Sequence, residues 1–314
     1  MYPLPLNKYF LAILVSVFLF GCSNGTKPNE PSDTPTSGDV NIIVDESFQK
    51  LFDTQTYTFH SLYPAANIHT KYLPENDALA GLMNDSCKVA IMCRDITKAE
   101  RKQFETKNLF PISTKIAEDA IALIINPDNT DTTLTVSAVK SMLLGTDSLW
   151  NQLNAKSTLG KIVFVFDNVG SANTRYMKDS MLNGKEFSKN AFAVKSNPEV
   201  IEYVSKNKNA IGVLSVNWIS DMDDPMTQNF FKKIKVVALS KTADSEAFKP
   251  YQAYIKTKDY PFTRDVYMIN RQTRAGLGMG FVSFVAGQKG QMMILKAGLI
   301  PAIAPVRLVE INTQ

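Results

Sequence analysis

Short runs rich in Val, Ile and Leu alternate with helical patterns along most of this chain, and that alternation constrains its fold more than any other feature. Residues 41–44 read as a strand, followed by a helix over 47–54 with Phe48, Leu51 and Phe52 on one face. A second strand is expected over 67–73, after which Asn76 or Asp77 caps a helix carrying Ala78, Leu79, Leu82 and Met83. A third strand covers 88–93, and Thr97 opens a charged helix running to Lys107. Ala120-Ile121-Ala122-Leu123-Ile124-Ile125 is the strongest strand signal. Thr135 caps a helix with Val139, Met142 and Leu143 inward, ended by Gly145. The unbroken apolar run Ile162-Val163-Phe164-Val165-Phe166 predicts a strand buried on both faces. A polar loop then turns into a helix over 176–182, with a helix over 199–206, a strand over 211–214 and a helix around 281–286 still to come. Strands separated by helices at this spacing predict α/β layers around a largely parallel sheet. No internal repeat is present.

The first forty residues belong to a different regime. Lys8 precedes an apolar segment over 9–20, interrupted only by Ser16 and too short to span a bilayer comfortably. It reads as a secretory signal over 1–21. Gly21 directly before Cys22 resembles a bacterial lipobox, in which the cysteine is acylated and becomes the new first residue. Residues 22–39, with Pro28, Pro31 and Pro35 among Ser, Thr, Asn and Gly, read as a flexible tether. Acyl chains at ~0.8 kcal/mol per buried methylene would hold such a protein firmly to a membrane surface. The expected location is extracytoplasmic, in the periplasm or at the cell surface, anchored through lipidated Cys22.

Residues 40–314 are enough for two lobes with their own cores. The net charge of +4 is small and the basic residues are scattered, which argues against a nucleic-acid partner. Cys87 and Cys93 stand ~20 Å apart along an extended strand and cannot bridge within it, so both are expected as buried free thiols. His60 and His69 have no Cys or Glu at helical ligand spacing, and neither a metal nor a cofactor is expected. Catalysis finds no support. Gly170-Ser171 lacks the spacing of a nucleophile elbow, and no histidine follows it to serve as base. Gly276-Leu277-Gly278-Met279-Gly280 follows a turn, not a strand, and reads as flexible entry into the Phe281 helix.

What remains is a set of strand-to-helix loops: Asp45-Glu46-Ser47, Pro74-Glu75-Asn76-Asp77 and Gly170-Ser171-Ala172-Asn173-Thr174. Helix starts carry unpaired N–H donors and the positive end of the dipole, which suits an oxyanion. In open α/β sheets such loops gather beyond the carboxyl ends of the strands. For any single loop taken alone, an ordinary cap with nothing bound is the stronger reading.

In chain order, several segments resemble the solute-binding proteins of phosphate ABC transporters, the type II periplasmic binding-protein family. They are Glu118-Asp119-Ala120 through Pro127, the stretch 134–150 with Leu144-Gly145 and Trp150, and Gly170-Ser171-Ala172-Asn173-Thr174-Arg175. Asn209-Ala210-Ile211-Gly212-Val213-Leu214, Tyr260-Pro261-Phe262-Thr263-Arg264, Gly290-Gln291 and Lys296-Ala297-Gly298-Leu299-Ile300-Pro301 complete the series. The resemblance implies two α/β lobes, each a mostly parallel sheet flanked by helices, joined by a hinge. Lobe 1 would comprise 40–118 and 245–314, and lobe 2 would comprise 119–244. It also implies a monomer that closes on inorganic phosphate or a similar small anion and passes it to an ABC permease.

The ligand loops depart from the family pattern. Asp167 and Asn168 stand where the family has an arginine, and Pro74-Glu75-Asn76-Asp77 replaces its Gly-Ser-Gly helix start. Ser171 matches the loop serine, with Asn173 or Thr174 in place of its threonine. The residues expected at the ligand are Asp45, Ser47, Arg94, Ser171, Asn173, Thr174 and Arg175. Arg264 resembles a family position and reads equally as a structural salt-bridge partner. Two alternatives stand beside phosphate capture: a module for another small solute, such as a carboxylate or metabolite, and an envelope scaffold whose lobes no longer close.

Overall fold

The computed structural model describes residues 33–303, except 222 and 273. Cys22 and the predicted signal lie outside the described residues. In chain order the strands are β1 (Gly38–Asp45), β2 (Ala66–Leu73), β3 (Val89–Met92), β4 (Ile112–Ile125), β5 (Thr133–Thr135), β6 (Val163–Phe166) and β7 (Ala191–Ala193). They continue with β8 (Ala210–Ser215), β9 (Lys235–Val236), β10 (Ala238–Ser240), β11 (Ala247–Phe248), β12 (Thr263–Asn270) and β13 (Ile300–Pro301).

The main sheet runs β2-β1-β3-β12-β4-β8-β6-β7, and a single strand, β4, joins its two halves. β4 is antiparallel to everything it meets: residues 112–120 pair with β12, and residues 121–125 pair with β8. At ~3.4 Å per residue its 14 residues reach about 48 Å, long enough to serve two half-sheets. On one side β1 runs parallel to β2 and β3. On the other β6 runs parallel to β7 and β8. The result is a two-lobed α/β fold whose parallel crossovers lie in the outer parts and whose antiparallel pairings concentrate at the crossing. A small sheet, β11-β10-β5, sits beside the second half.

Local chemistry explains most helix limits. Thr97 Oγ1 accepts from Glu100 N while Glu100 reaches back to Thr97 N, a capping box that starts the helix Lys98–Glu105. Thr135 caps Val136–Leu144, and Gly145 ends it at φ +77°, where a side chain would be strained. Trp150 is fully buried and donates its indole N–H to Asn209 O at 3.0 Å. Cys87 and Cys93 are buried free thiols, as expected, with burial pushing Cys87 up to about 12.

Four expectations need correction. The helix Glu75–Met83 starts directly after Pro74, so neither Asn76 nor Asp77 caps it. The helix after β6 begins at Ala172 with Ser171 as its cap, four residues earlier than the periodicity suggested. The segment 33–39 is also more than tether: Gly38 and Asp39 belong to β1, and Asp33 Oδ1 accepts from Leu277 N at 2.8 Å. Gly276, Gly278 and Gly280 therefore do not mark flexibility. Gly278 and Gly280 lie within the helix Leu277–Ala286, where a Cβ on Gly280 would overlap the carbonyl of Pro35.

Candidate ligand-binding site

Where the parallel strands of both halves end, their loops meet across a seam, and four fully or almost fully buried carboxylates line it: Asp45, Glu75, Asp119 and Asp167. Each has a defined set of donors.

Asp45 closes β1. Its Oδ1 accepts from Ser47 N at 2.9 Å, and its Oδ2 accepts from Ala172 N of the opposite half at 3.4 Å. Glu75 opens its helix with the carboxylate turned inward. Oε2 accepts from Cys93 N at 2.7 Å, Arg175 Nε donates to Oε1, and Arg175 Nη2 lies 3.4 Å from Oε2. Arg94 Nε stands 3.6 Å from Oε1, although Arg94 is mainly held by Glu100 through bonds of 2.8 and 2.7 Å. Asp167 follows β6 and accepts from Ser171 Oγ at 2.6 Å, Asn173 Nδ2 at 2.8 Å and Asn197 Nδ2 at 3.2 Å. Thr174 donates its hydroxyl to Asn168 O. Asp119 on β4 sits opposite Arg264 on β12 in the antiparallel register. Arg264 grips it through Nε and Nη2 at 2.9 and 2.7 Å, and Ser215 adds a bond of 3.0 Å.

The seam is thus closed by direct contacts between the halves. Besides those of Asp45 and Glu75, Asn76 N donates to Gly170 O at 3.2 Å and Asn217 Nδ2 donates to Ser47 O at 3.0 Å. Lys50 bonds Asp224 at 2.5 Å and lies over the Trp218 ring. A few buried polar atoms are left without partners: Arg264 Nη1, Ser47 Oγ, Asn173 Oδ1 and Asn197 Oδ1.

Electrostatics follow from this crowding. Burial, then the charge of Glu75, pushes Asp45 up to about 6, against the pull of Arg264 and the Ser47 bond. Burial lifts Glu46 to about 7, with Asp167 and Asp45 adding to it. Asp119 and Asp167 are also raised by burial, opposed by Arg264 and by their hydrogen bonds. Arg264 is held firmly charged: burial opposes its charge, but Cys93, Asp119 and Asp45 outweigh that.

All the expected ligand residues, Asp45, Ser47, Arg94, Ser171, Asn173, Thr174 and Arg175, border this seam, but most of their donors are already bonded to protein oxygens. Sequence reasoning missed the roles of Glu75, Asp119, Asn197, Ser215 and Asn217. A buried acid directly after Pro74 was the one available signal. Asp119 and Arg264 are 145 residues apart, and only strand register brings them together. Among the described residues no group of three His, Cys, Asp or Glu is placed to hold a metal ion. An apolar cavity of about 730 Å³, lined by Val216, Ile219, Phe231, Val236 and Tyr251 among others, involves none of the expected ligand residues.

The PBP superfamily domain matches residues 29–289. The chain is 25% identical over 228 residues to the phosphate-binding protein PstS of Borreliella burgdorferi, covering 70% of this chain and 74% of that protein. It is 24% identical over 204 residues to PstS of Staphylococcus aureus strain USA300, covering 63% and 58% respectively. A Clostridium perfringens structure with bound phosphate superimposes with a TM-score of 0.71 at 20% identity, over 85% of this chain and all of that one. An ABC-type phosphate transport receptor from Vibrio cholerae gives 0.65 at 17% identity, over 84% of this chain and all of that one.

Proposed function

The chain belongs to the PBP superfamily, and from that premise we propose that it is a non-catalytic, extracytoplasmic solute-binding lipoprotein that captures phosphate or a similar oxyanion between its lobes for an ABC permease. The phosphate-binding relatives support the ligand class. Lobe 1 is assigned to 40–118 and 245–314 and lobe 2 to 119–244. The proposed contacts are Asp45, Ser47, Arg94, Ser171, Asn173, Thr174 and Arg175, to which Arg264 is added. Lipidated Cys22 provides the anchor.

One observation carries this reading: Arg264 Nη1 and Ser47 Oγ are buried donors without acceptors in loops and strands that meet at the seam. An unsatisfied buried donor costs about 1–3 kcal/mol, which an arriving oxyanion recovers. The carboxylates refine the ligand class. Acceptor-only groups tolerate an anion that brings its own protons, as phosphate does and sulfate at neutral pH does not.

Calorimetric titration of the protein with phosphate and sulfate tests the assignment, and phosphate alone is expected to bind. Ser47→Ala removes a hydroxyl that makes no bond in the unliganded seam, so its melting temperature should match wild type. A charge-assisted bond of about 1.5–3 kcal/mol is lost in the complex, weakening phosphate roughly 10-fold or more. No heat with phosphate in wild type would defeat the reading. It would favour a different small solute.

A further inference from the structure

We propose that Glu75 is an internal ligand, an anion built into the chain that occupies the donors of Cys93, Arg94 and Arg175 at the seam and latches the lobes shut. Four donor groups from two places converge on its carboxylate. Cys93 N comes from the loop after β3 at 2.7 Å, and Arg94 Nε from the same loop at 3.6 Å. Arg175 Nε and Nη2 arrive from the opposite lobe. A backbone amide and two guanidinium groups closing on one carboxylate form the constellation that would otherwise hold a free anion.

Glu75 is fully buried at the first position of its helix, so the group is positioned by backbone and not by a flexible loop. Arg175 is tied further to lobe 1 through Cys93 O at 3.4 Å. The neighbouring contacts Asn76 N to Gly170 O and Ala172 N to Asp45 run across the same seam. The latch consequently makes closure a resting property of the unliganded chain. It rests on the solute-binding reading only in that a free anion must displace Glu75 to reach Arg94 and Arg175.

Amide hydrogen exchange on the full chain in detergent tests this. Peptides containing Asn76, Cys93 and Ala172 should be protected in the absence of any added anion. In Glu75→Gln, and independently in Arg175→Gln, exchange in those peptides should rise by about tenfold or more, while β1 in one half and β8 in the other stay protected and report intact lobes. Unchanged exchange in the Arg175→Gln chain, or wild-type peptides that exchange freely until phosphate is added, overturns the latch. Because Arg175 is partly exposed, its variant decides the matter even if Glu75→Gln unfolds. Added phosphate should restore protection in Glu75→Gln. If it does not, and wild type also binds no phosphate, the phosphate assignment fails while the latch stands.

Discussion

Asp45 holds the seam from a position of electrostatic strain. Its acceptors are well used, one bonding within its own loop and the other reaching Ala172, yet burial beside Glu75 and Asp167 makes its charge expensive. A folded-state pKa of about 6 against an ordinary 3.8 means the folded protein binds this proton more tightly than the unfolded chain does. The stability it confers is complete below about pH 3.8, falls as pH rises towards 6 and is gone above that. At 1.36 kcal/mol per unit the change is about 3 kcal/mol. Urea unfolding at intervals from pH 4 to 7 should therefore show a downward component in the wild type that Asp45→Asn lacks. Parallel profiles for the two proteins would show that Asp45 is solvated in the folded state. Arg264 and Asp119 are paired directly: Nε and Nη2 both donate to Oδ2 and oppose the effect of burial on Asp119, and only Nη1 of Arg264 is left wanting.

Among the elements, the N-terminal segment changes most between sequence and structure. A proline-bearing stretch of Ser, Thr and Asp gives no periodic signal, so the sequence offered a tether up to Asp39. The glycines at 276 and 280 were the counter-signal, because a Cβ there would meet the Asp33 carboxylate and the Pro35 backbone respectively. Trimming to Val40 should consequently lower the melting temperature relative to trimming at Asp33, since it removes the carboxylate that caps Leu277 N. Loss of an N-terminal cap of this kind costs about 1 kcal/mol. Equal melting temperatures would mean that Asp33 and Pro35 contribute nothing. Elsewhere the local grammar was legible. Thr97, Thr135 and Gly145 mark their helix ends in the sequence because caps act over three or four residues. The site was legible only in part. The loops that border it could be named from strand ends and polar helix starts. The pairing of Glu75 with Arg175 across 100 residues depends on how two lobes meet, which no window of sequence encodes.

At the scale of the whole molecule, β4 binds both half-sheets into one fold, its first part paired with β12 and its second with β8. A latched pair of lobes suits a protein held at a surface, where a solute must arrive and leave again. The anchor proposed at Cys22 is the part of that reading a single substitution tests. Body contacts among the described residues begin at Asp33, so replacing Cys22 leaves Asp33, Pro35 and β1 untouched. Cys22→Ser removes the acylation site without adding bulk, and each methylene no longer buried forfeits ~0.8 kcal/mol of membrane affinity. The variant should move from the membrane fraction to the soluble fraction of expressing cells and melt at the wild-type temperature. If it still sediments with membranes, the uncleaved apolar segment or another contact holds the protein, and lipid anchoring through Cys22 falls. If it is released but melts lower, the first residues of the mature chain pack on the body as Asp33 does, and the tether is shorter than the sequence suggested.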